Sequence, residues 1–555
     1  MPTAPLSLRS TTPTIDVYVK LAQYPVLCDR IRLRMREEIF RRGIINPQEF
    51  ENEVSRIARE SQKREGLTDP TIQEDEATWH KRKDAIREMH TDMYFANNLG
   101  STLLNQIIDE VLNNQETPVV DEATELTFNP EIAPWALLFK QGEVYDALPP
   151  PEKELIKHHL EEIKVVLIKR LLSDQLPYIA VAKKVFTIQD LRWIYERLIG
   201  GGKIGGKAGG MLLAWKILTK REYELGPDIS DQVTIPETFF IGSEIIYEFI
   251  YYNQLERFVN QKYLPIEQIE AQYPEILQAY MTSVFPDHVV EQLERVLHQL
   301  NGRPFVVRSS SLLEDHLAYA FAGQYESCFC ANQGTYEDNL RAFQTAIKQV
   351  YASTFNPRAM ALRQQNGLID YDERMAIMVQ PLVGRTYGRY FFPTATGKGL
   401  SLDESSDGDV QLSWGFADAR SDTYCLVDLS NPQSAHMQLP QEQIHLLELN
   451  EDCFQSIDVN HILSDAYPLL DFVATAVSPA KYEISFQKVT RDPQFIKLMR
   501  IVLHRLQKVY HAPVVVEFGL SIKPTTHGTK YKLYLLQCHT DKSNAKISRK
   551  ILHEK

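Results

Sequence analysis

The chain has 555 residues, of which 44% are hydrophobic and 24% charged. That composition supplies a large core and excludes a disordered chain. Lys and Arg number 60 against 73 Asp and Glu, a net charge of −13 with no dense basic block, which argues against non-specific nucleic-acid or anionic-membrane binding. Length alone suggests roughly two to four domains. Six cysteines are too few for a disulfide framework. Cys328 and Cys330 form a C-x-C pair, read as small residues alternating along a strand rather than as a zinc site. The opening MPTAPLSLRSTTPT lacks the apolar run of a signal peptide. No run of about 18 apolar residues occurs, so no membrane span is expected and a reducing cytoplasm is the expected compartment.

The first 195 residues read as helical. Asn46-Pro47-Gln48-Glu49 is a helix start: an Asn cap, Pro at the first helical position, and Glu at the third to return a bond. Phe50, Val54, Ile57 and Ser61 then share a face, with Gly66 as the stop. Residues 78–113 read as one long amphipathic stretch with Met89, Met93, Leu99 and Leu103 among its apolar positions. Residues 152–172 read as a helix with Leu160, Ile163, Val166 and Leu167 on one side. His158-His159 has the look of a ligand pair, but neighbours on a helix point different ways, so both are assigned to solvated surface. Residues 1–190 contain neither a glycine loop nor a catalytic pairing.

The texture changes at residue 199. Seven of the twelve residues from 199 to 210 are glycine. Glycine admits positive φ and lets backbone amides approach an anion closely. A helix predicted to start at about Met211 aims its positive end at the same place, and Lys207 can reach phosphate oxygens there. The G-x-x-x-x-G-K-[S/T] phosphate loop is absent; a flexible hinge is the other reading. Short strands then alternate with helices: Val233–Ile241, Phe305–Arg308, Met375–Val379, Val514–Phe518 and Tyr534–Gln537 are predicted strands. Asp492-Pro493 caps a helix carrying Phe495, Leu498, Val502, Leu506 and Val509.

Two of these strands carry chemistry. One delivers Arg308, followed by Ser309, Ser310, Ser311, Glu314 and Asp315, and then Ala320-Phe321-Ala322-Gly323-Gln324. Arginine suits bidentate contact with phosphate, although a surface turn has the same pattern. In the other, Val515 and Glu517 face one way and Val514, Val516 and Phe518 the other. On the next strand Leu535, Gln537 and His539 are expected to share a face. A Glu carboxylate and a Gln carbonyl are hard oxygen ligands suited to Mg²⁺ on a nucleotide's phosphates. The alternative for Glu517 is a pairing with a core Lys or Arg, because an unpaired buried carboxylate is costly.

Together these segments resemble the N-terminal nucleotide-binding region of phosphoenolpyruvate synthase and pyruvate phosphate dikinase, an ATP-grasp module also found in rifampin phosphotransferase and glucan water dikinase. The order matches over about residues 196–540. Gly205-Gly206-Lys207-Ala208 stands before a helix, and Ile235-Pro236-Glu237-Thr238-Phe239-Phe240-Ile241 looks like the family's P-x-G-F-V-V strand. Val307-Arg308-Ser309-Ser310 with Glu314-Asp315, Phe321-Ala322-Gly323-Gln324, Val379-Gln380-Pro381-Leu382-Val383, Trp414-Gly415, Glu517 and Leu535-Leu536-Gln537 follow. The resemblance implies ATP-grasp subdomains over 196–383 and 384–545; with the helical reading of 1–195 and a polar tail over 546–555, the expected fold is α+β. The resemblance also implies ATP and Mg²⁺ as cofactors. Gly205, Gly206, Lys207 and Arg308 would meet the phosphates, with Ala322 and Gly323 in the lid above them. Gln380 to Val383 would meet the adenine, and Glu517 and Gln537 would hold Mg²⁺. Lys207, Arg308 and His539 would form the catalytic set.

Three departures stand against that pattern. Val515 occupies the place of a usual Asp, His539 that of a usual Arg, and Ala320 that of a Ser. His539 is a cation only at low pH, since an ordinary histidine loses its charge above about pH 6.5. One lost group that stabilises phosphoryl transfer commonly costs on the order of 100- to 1000-fold; a nearby Lys or protonated His539 would be the compensating cation. None of the 15 histidines sits in the family's Gly-Gly-x-x-[Ser/Thr]-His context, and no pyruvate-binding barrel is seen. The expectation is therefore a phosphotransferase half whose acceptor lies on another chain, such as a phosphohistidine carrier. The alternative is a catalytically weakened nucleotide sensor.

Overall fold

The computed structural model describes residues 12–24, 27–64, 76–113, 129–220, 226–314, 323–402, 406–417, 423–464, 466–478, 481–526 and 528–540. The chain forms two compact units, residues 1–166 and 167–555.

The described part of the first unit is helical. The Asn46 side chain accepts a bond from the Glu49 amide at 2.8 Å, opening the helix Pro47–Arg64. Its buried stripe is Phe50, Val54 and Ala58, so Ile57 and Ser61 sit at the margin; Gly66 lies outside the described residues. The stretch 78–113 is two helices, Glu76–Asn98 and Ser101–Asn113. Its predicted face is corrected: Met89 and Met93 are 55% and 36% exposed, while Ile86, His90 and Phe95 are buried. The reason is polar. The inward face carries Asp92, which takes Arg32 Nη2 at 2.7 Å and Nε at 3.0 Å, so hydropathy pointed to the wrong side. Of the histidine pair, His158 is exposed as expected, whereas His159 is buried beside Tyr145.

The second unit is built on two mixed sheets, and the fold is α+β. The five-stranded sheet runs Leu198–Ile199, Phe239–Ile241, Met375–Pro381, Phe305–Ser311, Ser327–Cys330. The seven-stranded sheet runs His436–Met437, Cys425–Asp428, Asp409–Ser413, Ala395–Leu400, Val514–Thr525, Gly528–Thr540, Val233–Thr234. A four-stranded sheet and a hairpin complete it. Side chains alternate along a strand, so the two faces of each large sheet carry different sets of residues. On the first sheet, Phe305, Val307, Ile377 and Val379 enter a core with helices Ile266–Thr282, Asp287–Leu300 and Tyr336–Ala352. Val306, Arg308, Met378 and Gln380 take the other face. On the second, helix Pro493–Tyr510 covers the Gly399 side through Met499 and Leu503. Its start is fixed by Asp492, which accepts from the Gln494 amide at 2.9 Å. Lys398, Val515 and Glu517 therefore lie on the face away from that helix.

The predicted strand 233–241 is corrected into two. Val233–Thr234 pairs in the seven-stranded sheet and Phe239–Ile241 in the five-stranded sheet. Pro236 between them has no amide hydrogen to give a ladder. The segment passes from one sheet to the other.

Candidate functional site

The glycine run leads directly into helix Gly206–Thr219, which starts five residues before the predicted Met211. Gly205 has φ +83°, and a Cβ there would lie 1.5 Å from the Ser310 carbonyl oxygen; at Gly206 it would lie 1.8 Å from that of Glu314. Only glycine lets this helix start touch the end of the Arg308 strand. The Ala208 amide donates to Ser310 Oγ at 3.0 Å. Lys207 is buried, with Nζ 3.0 Å from Glu314 Oε1 and 3.2 Å from Ser309 Oγ. Glu314 is sealed from solvent and also takes the Ser309 hydroxyl at 3.0 Å and the Ser311 amide at 2.9 Å. Ser311 Oγ donates in turn to Glu373, which accepts Tyr325 OH at 3.0 Å. Burial pushes the Glu373 carboxyl up to about 7, against the pull of these hydroxyls and of Arg363. Asp315, Ala320, Phe321 and Ala322 lie outside the described residues; Gly323 has φ +75° and open space around it.

Arg308 reaches from the five-stranded sheet to the seven-stranded one. Its Nη1 donates to the Leu536 carbonyl at 2.9 Å, and its Nη2 lies 3.5 Å from Gln537 Oε1 and 3.8 Å from Glu517 Oε2. A bulge makes this possible. Glu517 opposes Gln537 and Phe518 opposes Leu535, which leaves Leu536 as the extra residue. The expected shared face is therefore corrected: Leu535 goes with Phe518, while Gln537 and His539 go with Glu517 and Val515.

Sequence reasoning left one neighbour unnamed. Lys398 opposes Glu517 on the third strand, with Nζ 3.1 Å from Glu517 Oε1. Glu517 is thus paired with Lys398 and Arg308. Burial alone would raise its pKa, but Lys398, Arg308 and Lys207 outweigh burial and hold it below the usual carboxylate range. Glu314 was part of the matched motif without a role, and Glu373 went unnamed. The available signal was weak: a lone lysine between glycines in Ala395-Thr396-Gly397-Lys398-Gly399-Leu400, and two carboxylates in segments without periodicity.

A cavity of about 250 Å³ opens between the two sheets, lined by Ile235, Pro236, Pro381, Leu382, Val383 and Leu520 among others. Its lining is mixed, with Glu237, Arg303, Arg385, Thr394 and Ser521 beside these aliphatic side chains, a combination that can take a flat ring with polar edges. Gln380 is not in this lining. Its amide is turned inward, donating to Thr238 Oγ1 at 2.9 Å and approaching Met211 Sδ at 3.4 Å. Trp414 is structural: its ring nitrogen donates to Tyr467 OH at 3.2 Å and its amide to Gln441 at 3.0 Å.

As metal ligands, Glu517 and Gln537 offer two oxygens in register on one face. That set suits a hard divalent cation whose remaining positions are filled by phosphate and water. Among the described residues no group of three or more His, Cys, Asp or Glu side chains is placed to hold a metal unaided.

Residues 202–555 match the pyruvate phosphate dikinase AMP/ATP-binding domain. The chain belongs to that family. A 143-residue stretch, 25% of this chain, is 32% identical to a rifampicin phosphotransferase of Streptomyces sviceus. The stretch spans 15% of that protein's length. What the family match carries is an AMP/ATP-binding domain. Among the described residues no helix is long and apolar enough to cross a membrane.

Proposed function

We propose that the second unit is an ATP-grasp module that binds Mg²⁺–ATP between its two large sheets and passes phosphate to an acceptor on another chain, in the cytoplasm. The observation that carries this is Arg308, anchored on one sheet and bonded to Leu536 on the other. A guanidinium at that junction can meet phosphate in a bidentate manner. The adenine would sit in the cavity beside Pro381 to Val383, with Gln380 acting through packing. The phosphates would run from there past Arg308 toward Gly205, Gly206 and Lys207. An ammonium has three donors, and Ser309 and Glu314 take two of those on Lys207. Ala322 and Gly323 would belong to the covering segment. Glu517 and Gln537 would hold Mg²⁺, which supplies charge neutralisation on the phosphates when bound. The acceptor is a nucleophile such as the imidazole of a phosphohistidine carrier, with His539 facing the transferred group.

Calorimetry of ATP binding with and without Mg²⁺ tests this reading. Glu517→Gln keeps shape and removes charge, so it should reduce affinity with Mg²⁺ and not without it. Equal losses in both would remove the metal role.

A second reading, a nucleotide sensor, draws support from Val515 and His539 on the Glu517 face. Turnover separates the two. If these residues are losses, Val515→Asp with His539→Arg should raise ATP turnover beyond the product of the single effects, because both act on one phosphoryl group. Brisk turnover by the parent that both substitutions slow would exclude the sensor.

A further inference from the structure

Lys398 stands at the centre of the face assigned to metal and phosphate, and nothing so far gives it a task. Gln411, Lys398, Glu517 and Gln537 oppose one another in a single row across four adjacent strands. The neighbouring row is Leu400, Val515 and His539. It lacks both the carboxylate and the permanent cation that the family pattern leads one to expect. The face has valine and histidine at those two positions and carries a lysine in the row beside them.

Charge balance says what this lysine awaits. Lys207 is matched by its own buried partner Glu314. Arg308 and Lys398 then share the single carboxylate of Glu517, at 3.8 Å and 3.1 Å. Two cations on one anion leave an excess positive charge at the junction of the sheets, which an anionic ligand would neutralise. The Lys398 side chain is 36% exposed, so water and ligand reach it. An ammonium on a four-carbon stem can leave one oxygen for another within a few ångströms.

We infer that Lys398 binds the distal phosphate oxygens of the nucleotide, supplying from the protein itself part of the positive charge that Mg²⁺ brings. This rests on the nucleotide reading above. It makes two demands on affinity. Some preference for ATP over AMP must survive chelation of all metal, because AMP lacks the phosphates Lys398 would touch. Freeing Lys398 from Glu517 must strengthen metal-free ATP binding.

The test is titration of ATP and AMP in EDTA, using the full chain and four forms: parent, Lys398→Met, Glu517→Gln and the double variant. Lys398→Met should weaken ATP about tenfold and AMP less than about threefold, the scale of one charged hydrogen bond. Glu517→Gln should strengthen ATP, and Lys398→Met in that background should again weaken it about tenfold. Lys398→Gln replaces the Met variant should the latter not fold, as judged by thermal unfolding. Equal weakening of ATP and AMP overturns the inference. So does a loss that vanishes in the Glu517→Gln background, since Lys398 would then be only the counter-ion of Glu517. A parent that binds ATP while Lys398→Met changes nothing sinks this inference alone; a parent that binds neither nucleotide under any condition sinks the nucleotide reading with it.

Discussion

The second unit carries two lysine–glutamate pairs of nearly equal length, 3.0 Å for Lys207–Glu314 and 3.1 Å for Lys398–Glu517. Their surroundings differ. The side chains of the first pair are 6% and 0% exposed, those of the second 36% and 26%. Where water is excluded, removing one partner strands an uncompensated charge. Where water enters, it takes over most of the lost partner's role. One pair therefore fixes the helix start to the Arg308 strand before any ligand arrives. The other is a set of charges that can re-pair around a ligand.

The sharpest way to break this contrast is Lys207→Met. Glu314 would keep only the Ser309 hydroxyl and the Ser311 amide among the bonds described above. The expected cost is about 3–5 kcal/mol of unfolding free energy, read by urea denaturation. A cost below about 1 kcal/mol would mean that the sealed pair is no more structural than an exposed one.

Arg308 comes next, because it alone among the cations discussed bonds across both sheets. Arg308→Ala should weaken ATP on the order of 10- to 100-fold, the scale of charge-assisted bonds. Calorimetry reads it, with Lys207→Ala in parallel. If both variants bind ATP like the parent, the phosphates lie elsewhere.

How much of this was legible in the sequence follows from what local pattern encodes. The glycine run, Arg308 on its strand, and the Glu517 and Gln537 positions are local facts, and the strands carrying them form, although the first runs past its predicted end at Arg308 to Ser311. The inward face of 78–113 was misread because Asp92 and its partner Arg32 are polar and buried together. The Leu536 bulge was invisible, since a one-residue slip is set by pairing across strands and not by composition along one. Lys398 was missed for the same reason. Its partner Glu517 is 119 positions away by residue number, and only strand register joins them. The early helix start at Gly206 follows from Ser310 capping the Ala208 amide, another contact from distant sequence.

The Lys207 side offers a pH test. Glu373 connects through Ser311 to the Lys207 cluster, and its carboxyl is raised from 4.5 to about 7. Between those values the folded state keeps a proton that the unfolded state has released. Glu373 thus favours the folded state most below about pH 4.5 and progressively less as pH rises to about 7. Glu373→Gln should remove that slope, changing the pH dependence by on the order of 3 kcal/mol across the window. Parallel parent and variant profiles would show that Glu373 titrates as an ordinary carboxylate.

The smallest effect belongs to the open pair. Lys398→Met should cost about 1 kcal/mol or less, because Arg308 remains 3.8 Å from Glu517 and the carboxylate is open enough to hydrate. The same substitution at Lys207 is the internal standard, since both remove one ammonium from a carboxylate about 3 Å away. A ratio well above one between the two costs sets the pairs apart as anchor and exchangeable site. Equal costs would make Lys398–Glu517 a second structural bridge. Its lysine would then have no reason to leave Glu517 for a ligand, and the positive charge at the sheet junction would serve the fold rather than the nucleotide.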